Sequence, residues 1–258
     1  MHISDINSMH WSNKIYKGFG WVLVISLILF FILRSFPWFS SFNAKILLTD
    51  FTQAEIDHFA NFAFQEMELK KWRDDIKIKI LKQNDRHDEV IGMIMECINV
   101  LNSLVEEIDI KLVPDNSNVS MVFLDTMAGD LLGYAPTLNA TFRIPYPTIK
   151  SGRIEILVGS RKIEEFNSTV YHEFTHILGF HHNLLVDYQS VFNPGPRKLI
   201  ENEEGDRMVP SFENYSDLDK AAIRILYDKD VGIDPGLTKR KFFRMIEKAK
   251  KEMGYDDP

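Results

Sequence analysis

HEFTHILGFHH, residues His172 to His182, fills every fixed position of the spacing H-E-x-x-H-x-x-G-x-x-H with His172, Glu173, His176, Gly179 and His182. Residues four apart on a helix share a face, so His172 and His176 present both imidazoles to one ion. Zinc takes imidazole nitrogens, and in catalytic sites it keeps one position for water beside three protein ligands. Glu173 sits next to the first ligand, where a carboxylate can take the proton from that water. Gly179 lets the chain leave the helix sharply. His182, ten residues after the first ligand, then returns as the third. His181 is the neighbour that the offset passes over, and a slip of one residue onto it is the alternative. Two histidines at helical spacing also occur by chance on amphipathic faces, but the glycine and the third histidine at their offsets argue against chance. Asn167, Ser168 and Thr169 supply caps for a helix opening just before the motif.

Upstream, TDFTQAEIDHFANFAFQEMELKK predicts a helix from Thr49 to Lys71, acidic early and basic late. IKIKIL, Ile76 to Leu81, alternates as a half-buried strand does. Val90, Ile94, Ile98, Leu101, Val105 and Ile108 predict one long helix from Asp88 to Ile108. IDIKLV and VSMVFL are strands separated by the turn-forming PDNSN, and RIEILVG, Arg153 to Gly159, is another. Gly133 to Ile144 is mixed and reads as an irregular edge strand. Downstream, Asn183 to Arg207 has the asparagine, proline, glycine and charge of a loop leaving the third ligand. SDLDKAAIRILY, Ser216 to Tyr227, opens on a capping residue, and a basic helix starts near Thr238. Helices packed on a mixed sheet give the fold class α/β (α+β).

The 258 residues suffice for one sizeable core, and a net charge of −7 argues against a nucleic-acid partner. Cys97, the one cysteine, forms no intramolecular disulfide and falls in an apolar helical pattern, as a core residue rather than a zinc ligand. GFGWVLVISLILFFIL, Gly18 to Leu33, carries no charge; Phe36, Trp38 and Phe39 extend it, and Lys14 and Lys17 precede it. This predicts a transmembrane signal anchor over 18–39 with a cytoplasmic tail over 1–17; the alternatives are a cleaved signal that releases a secreted protein and, third, a buried helix of a soluble protein. A juxtamembrane helical segment follows over 40–70, then a zinc domain over 71–230 and a basic C-terminal helix over 231–258. The lysines before the span put that domain outside the cytoplasm.

From Trp72 to Tyr227 the chain resembles the metzincin clan of zinc endopeptidases, with a matrixin-like flavour. The resemblance rests on His172 to His182, then on RMVPSF followed by SDLDKAAIRILY. The tail LYDKDVGIDPGLTKRK is loosely similar to a group of bacterial exported metzincin-like proteins. The resemblance implies neutral imidazoles of His172, His176 and His182 on one catalytic Zn2+ and Glu173 as general base, then acid. It also implies Met208 as a structural floor beneath the site, and a protein or peptide substrate. Two departures stand out: there is no cysteine-containing propeptide motif, and Pro210 occupies the position where some members of the clan carry a tyrosine after the methionine. An extended substrate would add to an edge strand between Leu131 and Ile144 by main-chain hydrogen bonds.

These features predict a membrane-anchored zinc metalloendopeptidase. Three alternatives stand beside it: a catalytically inactive zinc-binding module of the cell envelope, a zinc peptidase whose third ligand is Glu201 or Glu204, and a membrane scaffold acting through its basic C-terminal helix.

Overall fold

The computed structural model describes residues 41–64, 68–82, 87–124, 133–134, 139–143, 146–157, 164–182, 190–192, 200–201, 207–208 and 214–255, together with Ser26. The chain divides into a unit over 1–40 and a compact unit over 41–258. Of the first, only Ser26 is described, exposed and helical. The expected anchor over 18–39 therefore lies outside the described residues, and so does most of the loop over 183–207. Among the described residues no helix is long and apolar enough to cross a membrane.

The region read as one helix from Thr49 to Lys71 is built from three pieces. Helix α1 spans Ala44–Asp50, with the Asn43 side chain accepting from the Lys45 and Ile46 amides. Thr52 then breaks the run. Its side chain accepts from the Glu55 amide while the Glu55 carboxylate reaches back to the Thr52 amide, a capping box that starts α2, Gln53–Ala63. Beyond Leu69, whose backbone exchanges bonds with Gly236 and Leu237, the chain enters strand β1, Lys71–Trp72. The sequence places Lys71 at the basic end of the expected helix. It is instead buried, with Nζ 2.6 Å from Glu107 and 2.9 Å from the Ile233 carbonyl. Burial pulls its pKa below the ordinary lysine value, against the opposing pull of the Glu107 carboxylate.

Strand β2, Ile76–Lys82, is followed by α3, His87–Asn102. The predicted continuation of α3 to Ile108 does not form: the Val105 amide still bonds Leu101, the Glu106 amide turns to the Tyr227 carbonyl, and the side chain of Asn102 reaches the strand ahead. Its amide bonds both the Ile110 amide and the Ile110 carbonyl at 2.9 Å. Val105 and Ile108 stay buried in the connection, so apolar spacing outruns the helix. Cys97 lies fully buried on the inner face of α3. Strands β3, Ile110–Leu112, and β4, Val119–Leu124, follow. Next come β5, Gly133–Tyr134, β6, Asn139–Arg143, and the long β7, Tyr146–Leu157.

The sheet runs in the order β1-β7-β4-β2-β3, with every neighbour on that path parallel. β5 and β6 lie antiparallel to β7, so the stretch expected to be an irregular edge forms two short strands. Helix α4, Glu164–Leu178, packs on β7 and α3. It starts three residues before Asn167, so Asn167, Ser168 and Thr169 lie within it rather than capping it. β8, Ile200–Glu201, pairs with β9, Arg207–Met208. Helix α5, Asp217–Tyr227, opens with a Ser216–Asp219 capping box and packs on α2. Helix α6, Lys239–Met253, starts after the Thr238 cap, where the sequence placed it, and ends at Gly254 with φ 75°.

Aromatic packing ties α2 to the end of α4 and to α6. Phe59 meets Phe180 and Phe242, Phe62 meets Phe192, and Phe180 stacks on Phe192 at 4.8 Å. Burying each such ring contributes about 1.5–3 kcal/mol. This cluster fixes both the chain leaving α4 and the segment Ser190–Phe192.

Candidate metal centre

Helix α4 buries Val170, Tyr171, Phe174, Ile177 and Leu178 and leaves His172 and His176 half-buried on another face. Its last carbonyls would ordinarily lack partners. Here they are met from two directions. The Trp72 indole N–H donates to the Ile177 carbonyl at 2.5 Å, and the Tyr227 hydroxyl donates to that of Leu178 at 2.8 Å. The Gly179 amide bonds His176 and the Phe180 amide bonds Thr175. Gly179 has φ 107°, and a Cβ there would lie 2.4 Å from the Lys70 carbonyl oxygen. Both conditions exclude a side chain, so the glycine is what lets the chain turn against β1. The His181 amide then donates to the Phe62 carbonyl, and His182 follows.

This turn brings one ligand atom each from His172, His176 and His182 within 4.8 Å of one another, which is the one such group among the described residues. Nδ1 of His172 donates to the Val191 carbonyl at 2.6 Å, and Nδ1 of His176 donates to the Phe180 carbonyl at 2.9 Å. A carbonyl only accepts, so each neutral ring carries its proton on Nδ1 and a lone pair on Nε2. Those two Nε2 atoms face each other at 3.1 Å. Two lone pairs at that distance repel unless a cation lies between them.

Zinc fits this donor set. Zn–N bonds of about 2.0–2.1 Å in a tetrahedron make an N···N edge of about 3.3–3.4 Å, within a few tenths of the separation found. Metal-binding histidines ordinarily have their second nitrogen bonded to a carbonyl or carboxylate, as His172 and His176 do. Burial also favours the neutral form of two of the rings. It lowers the pKa of His176, and it lowers that of His182 to about 4 with help from the neighbouring His176 and His181. The Phe192 backbone opposes the His182 shift, though Nδ1 of His182 has no hydrogen bond of good geometry among the described residues.

Glu173 is buried, and its Oε2 has no partner among the described residues. Burial pushes its pKa up to about 8. A buried, unbonded carboxyl is costly unless a water, a proton or a cation meets it.

Met208 lies opposite Ile200 in the β8–β9 ladder, and its side chain lies outside the description. Pro210 and Glu204 are also outside it, and Glu201 is described only as backbone in β8. Cys97 stays a thiol, its pKa raised by burial, with Tyr215 Oη its neighbour at 4.0 Å.

The carbonyls of Phe180 and Val191, with Trp72 and Tyr227, are the parts of the site that sequence reasoning missed. The carbonyls leave no mark in a sequence. Tyr227 does, as the last residue of SDLDKAAIRILY, on which the resemblance partly rests.

No protein-family profile matches the chain, and no curated protein matches it. Among solved structures it is similar to myroilysin, at 14% identity and a TM-score of 0.40, covering 65% of this chain and 98% of that one. It is also similar to high choriolytic enzyme 1, a hatching enzyme zinc-protease from Oryzias latipes (medaka fish), at 14% identity and a TM-score of 0.39, covering 61% and 94%. Both likenesses fall below the level at which a shared fold follows from superposition.

Proposed function

We propose that the chain is a zinc-dependent metalloendopeptidase. Residues 18–39 anchor it to a membrane, and the unit over 41–258 works outside the cytoplasm on protein or peptide substrates. One observation carries the catalytic part of this reading: two imidazole lone pairs fixed face to face by carbonyls, with a third imidazole beside them. His172, His176 and His182 hold the ion, and Met208 lies beneath it. Bound there, zinc supplies a Lewis acid that activates water and polarises the scissile carbonyl. Glu173 takes the proton of the attacking water and gives it to the departing amine. A substrate extended along β5 and β6 gains main-chain hydrogen bonds at the sheet edge.

The test is metal content and cleavage of a diverse peptide pool, comparing the full chain with Glu173→Gln. The expected result is about one zinc per chain in both and cleavage by the parent alone. Zinc in both with no cleavage that the variant lacks would make the protein an inactive zinc-binding module. A His182→Ala chain that holds zinc as tightly as the parent would overturn the three-histidine set.

A further inference from the structure

Beyond the three histidines lies a buried polar group that the catalytic reading does not use. Asp219, on α5, has no exposed surface, yet its carboxylate accepts from four directions. His58 Nε2 donates to Oδ1 at 2.9 Å and Ser190 Oγ donates to Oδ1 at 2.6 Å. The Ser216 amide donates to Oδ2 at 3.1 Å, and the Val191 amide reaches Oδ2 at 3.4 Å. Ser190 Oγ in turn accepts from the Phe192 amide at 3.1 Å. Thus three consecutive residues, Ser190, Val191 and Phe192, are held by a hydroxyl and two amides on one carboxylate and its partner. A capping box needs only the Ser216 contact. The other donors come from elsewhere in the chain.

The clamped segment also faces the metal centre. The Val191 carbonyl bonds Nδ1 of His172. His58 sits between Phe62 and Phe192, with ring centroids 4.9 and 5.7 Å away, so α2 braces the segment from its other side.

We infer that Asp219, together with His58 and Ser190, is a set of positioning residues for the metal centre. It aims the Val191 carbonyl at His172 and thereby fixes the tautomer and orientation of that ligand. The inference rests on the metal-site reading above. The carboxylate holds the segment, the segment holds the imidazole, and the imidazole presents Nε2. Outer partners of this kind typically change metal affinity about 10–100-fold when removed.

The test uses the full chain in detergent and four variants. His58→Phe keeps the ring volume and removes the donor, while His58→Gln keeps a donor. Ser190→Ala removes one hydroxyl, while Ser190→Thr restores it. Cobalt(II) is the probe, read by its affinity and its visible absorption spectrum. Nitrogen NMR of the metal-free chain reports the tautomer of His172. We expect His58→Phe and Ser190→Ala to weaken cobalt binding about 10-fold or more, to change the spectrum, and to loosen the Nδ1–H tautomer. His58→Gln and Ser190→Thr should return toward the parent. Unchanged affinity, spectrum and tautomer in Ser190→Ala, even with lower thermal stability, would reduce the network to a brace of the fold and overturn the inference. A parent that binds neither cobalt nor zinc would overturn the proposed function instead. The tautomer arm would then still decide whether the clamp orients His172.

Discussion

Replacing Gly179 by alanine puts a methyl group where the backbone of Lys70, just before β1, already lies. The added Cβ would sit 2.4 Å from the Lys70 carbonyl oxygen, where ordinary contact begins at 3.4 Å, so the shortfall is 3.4 − 2.4 = 1.0 Å. The obstacle is main chain and cannot swing aside as a side chain does. The backbone at φ 107° adds strain of roughly 1–3 kcal/mol for a residue with a Cβ, and forced overpacking adds typically about 1–3 kcal/mol. The sum of about 2–6 kcal/mol is a large part of the stability of an ordinary domain. For a unit of this size each kcal/mol moves Tm by about 2–4 °C, so Gly179→Ala should melt roughly 5–20 °C lower. The same displacement separates His182 from His172 and His176, so zinc should be lost as well. Thermal unfolding with metal analysis of the purified variant reads both effects. A variant melting within a degree or two of the parent with its zinc intact would refute the argument, because the turn would then tolerate a side chain.

Because burial lowers the pKa values of His176 and His182, the latter from 6.5 to about 4, protons should compete for the site only in strong acid. Zinc content should be flat from pH 8 to pH 6 and fall only as the pH nears 4; a release midpoint at 6.5, read by dialysis and metal analysis, would mean that the rings titrate as in water. Glu173 is displaced the other way, from 4.5 to about 8, so in the metal-free protein its neutral form favours folding below pH 4.5, and this contribution is lost as the pH rises through 8. Metal-free Glu173→Gln should therefore gain on the parent over that window, by up to a few kcal/mol at pH 8 and above, and equal denaturant midpoints at pH 5 and pH 9 would contradict the burial argument. The Lys71–Glu107 pair should respond unequally, because Lys71 is 2% exposed and Glu107 26%. Glu107→Gln strands a buried ammonium and should cost about 3–5 kcal/mol, whereas Lys71→Met leaves a part-exposed carboxylate that water can reach and should cost less; the reverse ranking in urea unfolding would place the penalty on the wrong partner.

What the sequence disclosed follows from how local each constraint is. The metal motif was legible because its geometry is carried within eleven residues: a helical interval of four, a glycine, and a short return. The strands at Ile76 and Val119 were legible because alternation is also local. The helix read from Thr49 to Lys71 failed on a signal that was present, since Thr52 and Glu55 have the spacing of a capping box and mark a fresh start. Lys71 failed for another reason. Its burial depends on Glu107 and Ile233, far away in the chain, and two adjacent lysines after an apolar run look like the basic end of a helix. The overlong helix ending at Ile108 shows that apolar periodicity reports burial, which Val105 and Ile108 retain, and not helical hydrogen bonding, which the Glu106 amide leaves for the Tyr227 carbonyl.

The parts of the site that stayed hidden share a physical character: they act through main chain. Val191 and Phe180 orient His172 and His176 with carbonyls, a group every residue possesses, so no side-chain pattern can announce them. What a sequence can announce is whatever fixes those carbonyls in space. Gly179, at a conformation that excludes a Cβ, fixes the turn that carries Phe180. Asp219, an acid on the apolar side of an amphipathic helix, fixes the segment that carries Val191. An acid in such a place is costly without partners, and its presence points to something being held. The motif names three histidines that come together; the glycine and the buried acid name the two supports that aim them.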